Sequence, residues 1–187
     1  MAVNLSAQQF YRGDIAGTVE RTLRETGLGP EWLELELTES LTLDESETTV
    51  EIMQDLKRIG VSLSLDDFGT GWSSLSYLRK FPLDRIKIDR SFMRDVALEP
   101  AAEAVVRSIL RLGSDLGLDC VAEGVETLQQ LDYLQREKRS EMQGFLYSAA
   151  LAGAECGELM RSGGNSPVEI SATCSDDSAP MTGYFGS

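Results

Sequence analysis

The feature that most constrains this chain is a strand–helix rhythm running from its first residues to about residue 162. Six short stretches read as strands: Ala2–Ser6, Leu33–Thr38, Val61–Asp66, Arg85–Asp89, Asp119–Glu123 and Glu141–Phe145. Between them, apolar residues recur three or four apart, the period of a helix with one buried face. Ile15, Val19 and Leu23 carry it first, then Ile52, Leu56 and Ile59. Val105, Ile109, Leu112 and Leu116 follow, and Leu128, Leu131 and Leu134 come last. Asp44 with Glu47, and Thr127 with Gln130, have the spacing of capping boxes. Gly60, Gly113 and Gly117 mark expected helix ends. Strands that alternate with helices imply a parallel sheet with right-handed crossovers. A closed β/α barrel needs eight such units and roughly 250 residues, whereas an open doubly wound sheet could use six as they stand.

What lies on the strands favours the barrel. Alternate side chains of a strand point to opposite faces. In the second strand Leu33, Leu35 and Leu37 oppose Glu34, Glu36 and Thr38. In the third, Val61, Leu63 and Leu65 oppose Ser62, Ser64 and Asp66. In the fourth, Ile86 and Ile88 oppose Arg85, Lys87 and Asp89. Asn4 opposes Val3 and Leu5, Glu123 lies with Val121, and Gln143 lies with Phe145. If the aliphatic faces pack under helices, Asn4, Glu36, Asp66, Lys87, Glu123 and Gln143 converge at one mouth, where barrel enzymes keep their chemistry. The plainer alternative is a set of amphipathic strands, each half exposed as in an antiparallel sheet. The expected fold is therefore α/β, a TIM-like (β/α) barrel that is incomplete, with about six of eight units.

Carboxylates held this close stay ionised only if positive charge compensates them, and all-oxygen ligation suits Mg²⁺, Mn²⁺ or Ca²⁺. Asp66 and Asp67 diverge in a regular strand, but at a strand end each can reach a different ion. Two such ions suit attack at phosphorus. Lys87 is then placed to orient the attacking water or to neutralise developing charge. Taken alone, it equally suits a snorkelling surface lysine between isoleucines.

Composition removes competing chemistries. The chain has no histidine, which excludes a Ser-His-Asp triad, His-ligated zinc and an imidazole base. A formal charge of −14 argues against nucleic-acid polymers and anionic membranes as partners. No apolar run approaches the ~20 residues of a membrane span, and no secretory signal opens the chain. Cys120, Cys156 and Cys174 are odd in number and widely spaced, as free thiols of a reducing compartment are. A cytoplasmic location is expected. Residues 163–187 are rich in Gly, Ser, Pro, Asp and Thr without apolar period, so a disordered tail follows a barrel domain of residues 1–162.

The same residues carry a family resemblance. Asn4-Leu5-Ser6-Ala7-Gln8-Gln9-Phe10, Leu35-Glu36-Leu37-Thr38-Glu39-Ser40 and Leu65-Asp66-Asp67-Phe68-Gly69-Thr70-Gly71 come first. Leu83-Asp84-Arg85-Ile86-Lys87-Ile88-Asp89, Val121-Ala122-Glu123-Gly124-Val125-Glu126-Thr127 and Gln143-Gly144-Phe145 follow. In order and spacing they resemble the EAL family of cyclic-di-GMP phosphodiesterases over roughly residues 1–160. The resemblance implies a barrel and hydrolysis of cyclic di-GMP to linear pGpG with two divalent ions, Mg²⁺ or Mn²⁺. It implies Asn4, Glu36, Asp66, Asp67 and Glu123 as metal ligands, and Lys87 on the attacking water. Glu39 would hold the Asp-Asp loop, and Glu126 and Gln143 would support the substrate side. Cyclic di-GMP is the expected partner, together with a homodimer or an upstream sensory or GGDEF-type domain.

Two departures stand out. The Glu-Ala-Leu segment that names the family is absent, which accounts for the two missing units and implies weak or no activity for this chain alone. Lys138-Arg139-Ser140 replaces the usual approach to the last strand. A non-catalytic module that binds cyclic di-GMP or another protein stays open as the alternative. Without the resemblance, a Mg²⁺-dependent enolising barrel is disfavoured because Lys87 is the only lysine at an expected strand end.

Overall fold

A computed structural model describes residues 1–39, 46–70, 75–137 and 141–161. The chain divides into two compact units, Met1–Ala149 and Ala150–Ser187. The first unit contains, in order, β1 (Ala2–Leu5), α1 (Ala7–Arg12), α2 (Ile15–Thr26), β2 (Glu34–Thr38), α3 (Glu47–Ile59), β3 (Ser62–Phe68) and α4 (Leu75–Lys80). It continues with β4 (Arg85–Ile88), α5 (Arg90–Arg94), α6 (Pro100–Leu116), β5 (Asp119–Glu123), α7 (Leu128–Arg136) and β6 (Met142–Gln143). In the second unit the described residues form α8 (Gly153–Arg161). Residues 163–187, expected as a tail, and the Lys138-Arg139-Ser140 segment lie outside the described residues.

The strands are all parallel and follow one another across the sheet in chain order, β1 to β6. They curl into a half-barrel, the incomplete barrel the strand pattern implies. Among the described residues, β1 and β6 each have one neighbouring strand. Leu35, Leu37, Leu63, Leu65, Ile86 and Ile88 form the centre of the core, all nearly or wholly buried. Against them pack Val19 and Leu23 of α2, Met53 and Leu56 of α3, and Val106, Ile109 and Leu110 of α6. Each buried aliphatic side chain of this kind contributes about 1.5–3 kcal/mol.

Local signals behave as their chemistry dictates, with corrections. Thr127 and Gln130 form the expected capping box. So do Ser6 and Gln9, which end β1 at Leu5 because Ser6 turns to cap α1. Helix α3 begins at Glu47 with Ser46 as its cap, so Glu47 is the first helical residue and not the third; Asp44 lies outside the described residues. Gly60 and Gly117 close α3 and α6 in the left-handed conformation. Gly113 instead sits inside α6, where a Cβ would meet Cys120 Sγ at 2.2 Å. The last strand is Met142–Gln143 and not Glu141–Phe145. Gly144 lies so close to the Val125 backbone that a Cβ would come within 2.1 Å of its carbonyl oxygen, and the chain turns there. Phe145, expected beside Gln143 on a strand, is 70% exposed. Asp89 leaves β4 to cap α5, its carboxylate accepting from the Ser91 N–H at 2.9 Å.

Candidate metal centre

Asp66 and Asp67 lie at an irregularity of β3 that regular alternation does not anticipate. Leu65 is level with Ile86 and Phe68 with Ile88, so two aspartates on β3 face the single residue Lys87 on β4. This is a β-bulge, in which one extra residue bends the strand and re-aims side chains. Asp67 takes up the difference with φ +55°, the left-handed region that Asp tolerates better than most residues. The strand therefore runs on through Phe68 and does not stop at Asp66 as expected.

The bulge brings the carboxylates around a buried ammonium. Lys87 Nζ donates to Glu123 Oε1 at 2.6 Å, to Glu36 Oε1 at 2.8 Å and to Asp66 Oδ1 at 3.1 Å. An ammonium has three donors, and each here is committed to a different strand: β5, β2 and β3. Lys87 is thus no snorkelling surface residue; it is 5% exposed. Burial by itself would lower its pKa, but the bonds to Glu123, Glu36 and Asp66 outweigh burial and hold it above the ordinary lysine value. Burial pushes the Glu123 carboxyl up against the pull of Lys87. Burial, then the charges of Asp66 and Asp89, push Asp67 up.

One carboxylate oxygen from each of Asp66, Asp67 and Glu123 lies within 4.8 Å of the others. That spacing and an all-oxygen donor set fit a hard divalent cation. Glu36 joins the cluster through Lys87. Asn4 is level with Glu36 on the neighbouring strand and Gln143 is level with Glu123, but both are exposed, and among the described residues neither hydrogen-bonds to the cluster. Glu39 is buried and its Oε2 accepts from the Gly69 N–H at 3.3 Å, which ties the turn after the bulge to the end of β2. Gly69 itself has φ +95°, and Thr70 closes the turn by donating from Oγ1 to the Asp67 carbonyl at 2.9 Å. Glu126 is exposed, while its backbone N–H is held by Gln130 Oε1 at 2.7 Å.

Two residues escaped the reading of the sequence. Asp89 stands near enough to Asp67 to push its pKa up, and adds a further carboxylate beside the pair. Its signal was the Asp-x-Ser spacing of a helix cap, which marks Asp89 as leaving the strand. Gln130 is buried, accepts from both Glu126 and Thr127, and donates from Nε2 to the Met93 carbonyl at 2.8 Å. It was legible as a cap but not as a bridge between the loop after β5 and α5.

A parallel half-barrel with an acidic, lysine-centred cluster at the C-terminal strand ends defines a β/α-barrel protein with a candidate site for hard cations. Comparison narrows this further. The model of the EAL domain matches residues 1–150, and the chain belongs to that family. It is 40% identical over 161 residues to the cyclic di-GMP phosphodiesterase NbdA of Pseudomonas aeruginosa, covering 86% of this chain and 21% of that one. The crystal structure of the EAL domain of Mycobacterium smegmatis DcpA superposes with a TM-score of 0.83 at 37% identity, over 87% of this chain and 73% of that one. A manganese and cyclic-di-GMP complex of Klebsiella pneumoniae BlrP1 gives 0.74 at 36%, over 79% of this chain and 38% of that one. The chain spans about a fifth of the length of the curated relatives it matches.

Proposed function

We propose that this chain supplies the metal centre of a cyclic-di-GMP phosphodiesterase, which opens the cyclic dinucleotide to linear pGpG. The observation that carries the reading is the convergence of Asp66, Asp67 and Glu123 around space for a cation, with Glu36 and Lys87 in direct contact with the same group. Asp66, Asp67 and Glu123 would hold divalent ions, with Glu36 and Asn4 completing the set. When bound, Mg²⁺ or Mn²⁺ supplies Lewis-acid polarisation and neutralises phosphate charge. Lys87 keeps an ammonium where negative charge develops, and its hydrogen bonds to three strands fix its position. Glu39 steadies the turn after the Asp pair. Gln130 holds the loop that presents Glu126, and Gln143 lies at the rim where a nucleotide would be received.

The open sheet favours a second reading for the chain by itself. With β1 and β6 unclosed among the described residues, Asn4 and Gln143 are exposed, and losses of geometry at such sites cost orders of magnitude in rate. Non-catalytic binding of cyclic di-GMP is what that state supports. Mn²⁺ should raise the melting temperature of the chain by binding the folded state. Asp66→Asn with Glu123→Gln should abolish the shift; an undiminished shift would put the ions elsewhere. Hydrolysis of cyclic di-GMP with Mn²⁺, by the chain alone and by a version extended with a family-like N-terminal segment, separates the two readings. Background turnover by the first and robust turnover by the second is expected. Robust turnover by the unextended monomer would sink the second reading.

A further inference from the structure

The geometry points to Arg85 as a positioning residue for the metal centre, acting from the opposite end of the same strands; this rests on the reading of the lysine cluster as that centre. Arg85 Nη1 donates to Glu34 at 2.6 Å, and Nη2 pairs with Glu141 at 2.8 Å and Asp119 at 3.7 Å. Glu34 and Asp119 lie on strands and faces that carry a site residue, and Glu141 immediately precedes β6. Glu34 precedes Glu36 by two on β2, Arg85 precedes Lys87 by two on β4, and Asp119 precedes Glu123 by four on β5. At about 3.3 Å per residue, the arginine contacts on β2 and β4 sit some 7 Å below the lysine contacts.

To join β4 to β2, the guanidinium crosses β3. There the register places Ser64 beside Arg85 and Ser62 beside Glu34. Ser64 is wholly buried, and its hydroxyl has no hydrogen-bond partner among the described residues. A small side chain at this point leaves the path open, whatever its hydroxyl contributes. The Arg85 and Glu34 side chains are only 27% and 15% exposed, so the pair is shielded more than a surface ion pair. Arginine suits the task because its fork is planar, permanently charged and able to hold several carboxylates in fixed directions.

The functional consequence follows from competition at the other end. Lys87 and a divalent ion draw on the same two carboxylates, Asp66 and Glu123, so the lysine contacts are shared when an ion enters. The Arg85 contacts face other carboxylates and are spared. The close contact to Glu34 keeps β2 and β4 at one separation in both states.

Positioning and simple electrostatics predict opposite signs here. Loss of a nearby cation should by itself favour binding of a divalent ion, whereas loss of strand spacing should weaken it. Mn²⁺ titration by calorimetry on the full chain, freed of metal and at a temperature where each variant is folded by circular dichroism, reads the sign. Arg85→Met should raise the Kd about tenfold, the low end of the scale of residues that orient ligands, and Arg85→Lys, which keeps the charge but not the fork, should raise it by less. The electron paramagnetic resonance of bound Mn²⁺ should broaden in Arg85→Met. Asp119→Asn, whose contact is long and mostly exposed, should change the Kd less than twofold. Unchanged or tighter Mn²⁺ binding in Arg85→Met overturns the inference while leaving the centre intact. No Mn²⁺ binding by the unaltered chain overturns the reading of the centre and this inference with it. Should Arg85→Met fail to fold, Glu34→Gln carries the test: it must weaken binding more than Asp119→Asn does, and equal effects overturn the inference.

Discussion

Within one half-barrel, two cations each gather three carboxylates, and the ends they occupy behave differently. At the N-terminal end Arg85 meets Glu34, Asp119 and Glu141 in a regular register, and two of those carboxylates are at least half exposed. At the C-terminal end Lys87 meets Glu36, Asp66 and Glu123 beside a bulge, a left-handed aspartate and two carboxyls, Asp67 and Glu123, whose pKa values burial pushes up. The arginine end is a structural clasp whose two outer carboxylates reach water. The lysine end is more deeply buried and gathers more negative charge, because Asp67 and Asp89 stand beside the three carboxylates that Lys87 binds. The fold keeps its capacity for a further cation at the lysine end.

The largest effect should come from breaking the lysine end. Lys87→Met leaves three buried or half-buried carboxylates without their counter-ion, and removing one partner of such a set costs about 3–5 kcal/mol. Saturating Mn²⁺ should recover much of that loss and shift the melting temperature more than it does in the unaltered chain. Arg85→Met should also destabilise, but Mn²⁺ should not restore it preferentially. Equal recovery of both variants would erase the distinction between the two ends.

A second, smaller effect is the pH dependence of the metal-free chain. Asp67 and Glu123 have folded pKa values raised above their ordinary 3.8 and 4.5. Between the ordinary and the raised values the folded state binds more protons than the unfolded one, so stability falls as pH rises through that window. Lys87 has the same sign in a much higher window. Its raised pKa contributes stability that is fully present below the ordinary 10.5 and is lost only above it. Urea midpoints in EDTA should therefore include a declining contribution just above pH 4, one that Asp67→Asn reduces. With Mn²⁺ the trend should reverse, since ion binding improves as the carboxylates deprotonate. A decline of undiminished slope in Asp67→Asn would remove Asp67 from the account.

The smallest effect concerns the bulge. Asp67→Gly relieves the left-handed backbone and the repulsion from Asp66 and Asp89, and should stabilise the metal-free chain by about 1 kcal/mol. It should at the same time weaken Mn²⁺ binding. Stabilisation together with unimpaired binding would show that Asp67 is not a ligand.

Much of this was legible in the residues. Period-2 alternation separated Glu36, Asp66 and Lys87 from their leucine and isoleucine neighbours, because side-chain direction in a strand is set by backbone geometry alone. The bulge was not legible, since it depends on how β3 pairs with β4 and Asp67 carries no glycine-like signature. Asp89 was read as strand because it continues the parity of Arg85 and Lys87; its capping bond to Ser91 takes precedence. Gly113 was read as a helix end, but the room it leaves for Cys120 arises only when α6 packs on β5. Phe145 was assigned to a strand that Gly144 cuts short through a backbone contact made across the sheet. Local chemistry was readable; distant partners were not.

The paired aspartates also act as a frame shift in three dimensions. Leu63 and Leu65 belong to the helix-facing side of β3, and plain alternation would send Phe68 to the opposite side. The extra residue resets parity, so Phe68 is level with Ile88 and buried at 4% exposure. Loss of either aspartate codon would remove a carboxylate and the bulge together, and leave the aromatic ring on the helix-facing side by ordinary alternation. A substitution at Asp66 or Asp67 removes one group and can keep the bend, whereas a deletion regularises the strand and takes the bend with the ligand, at no cost to the packing of Phe68.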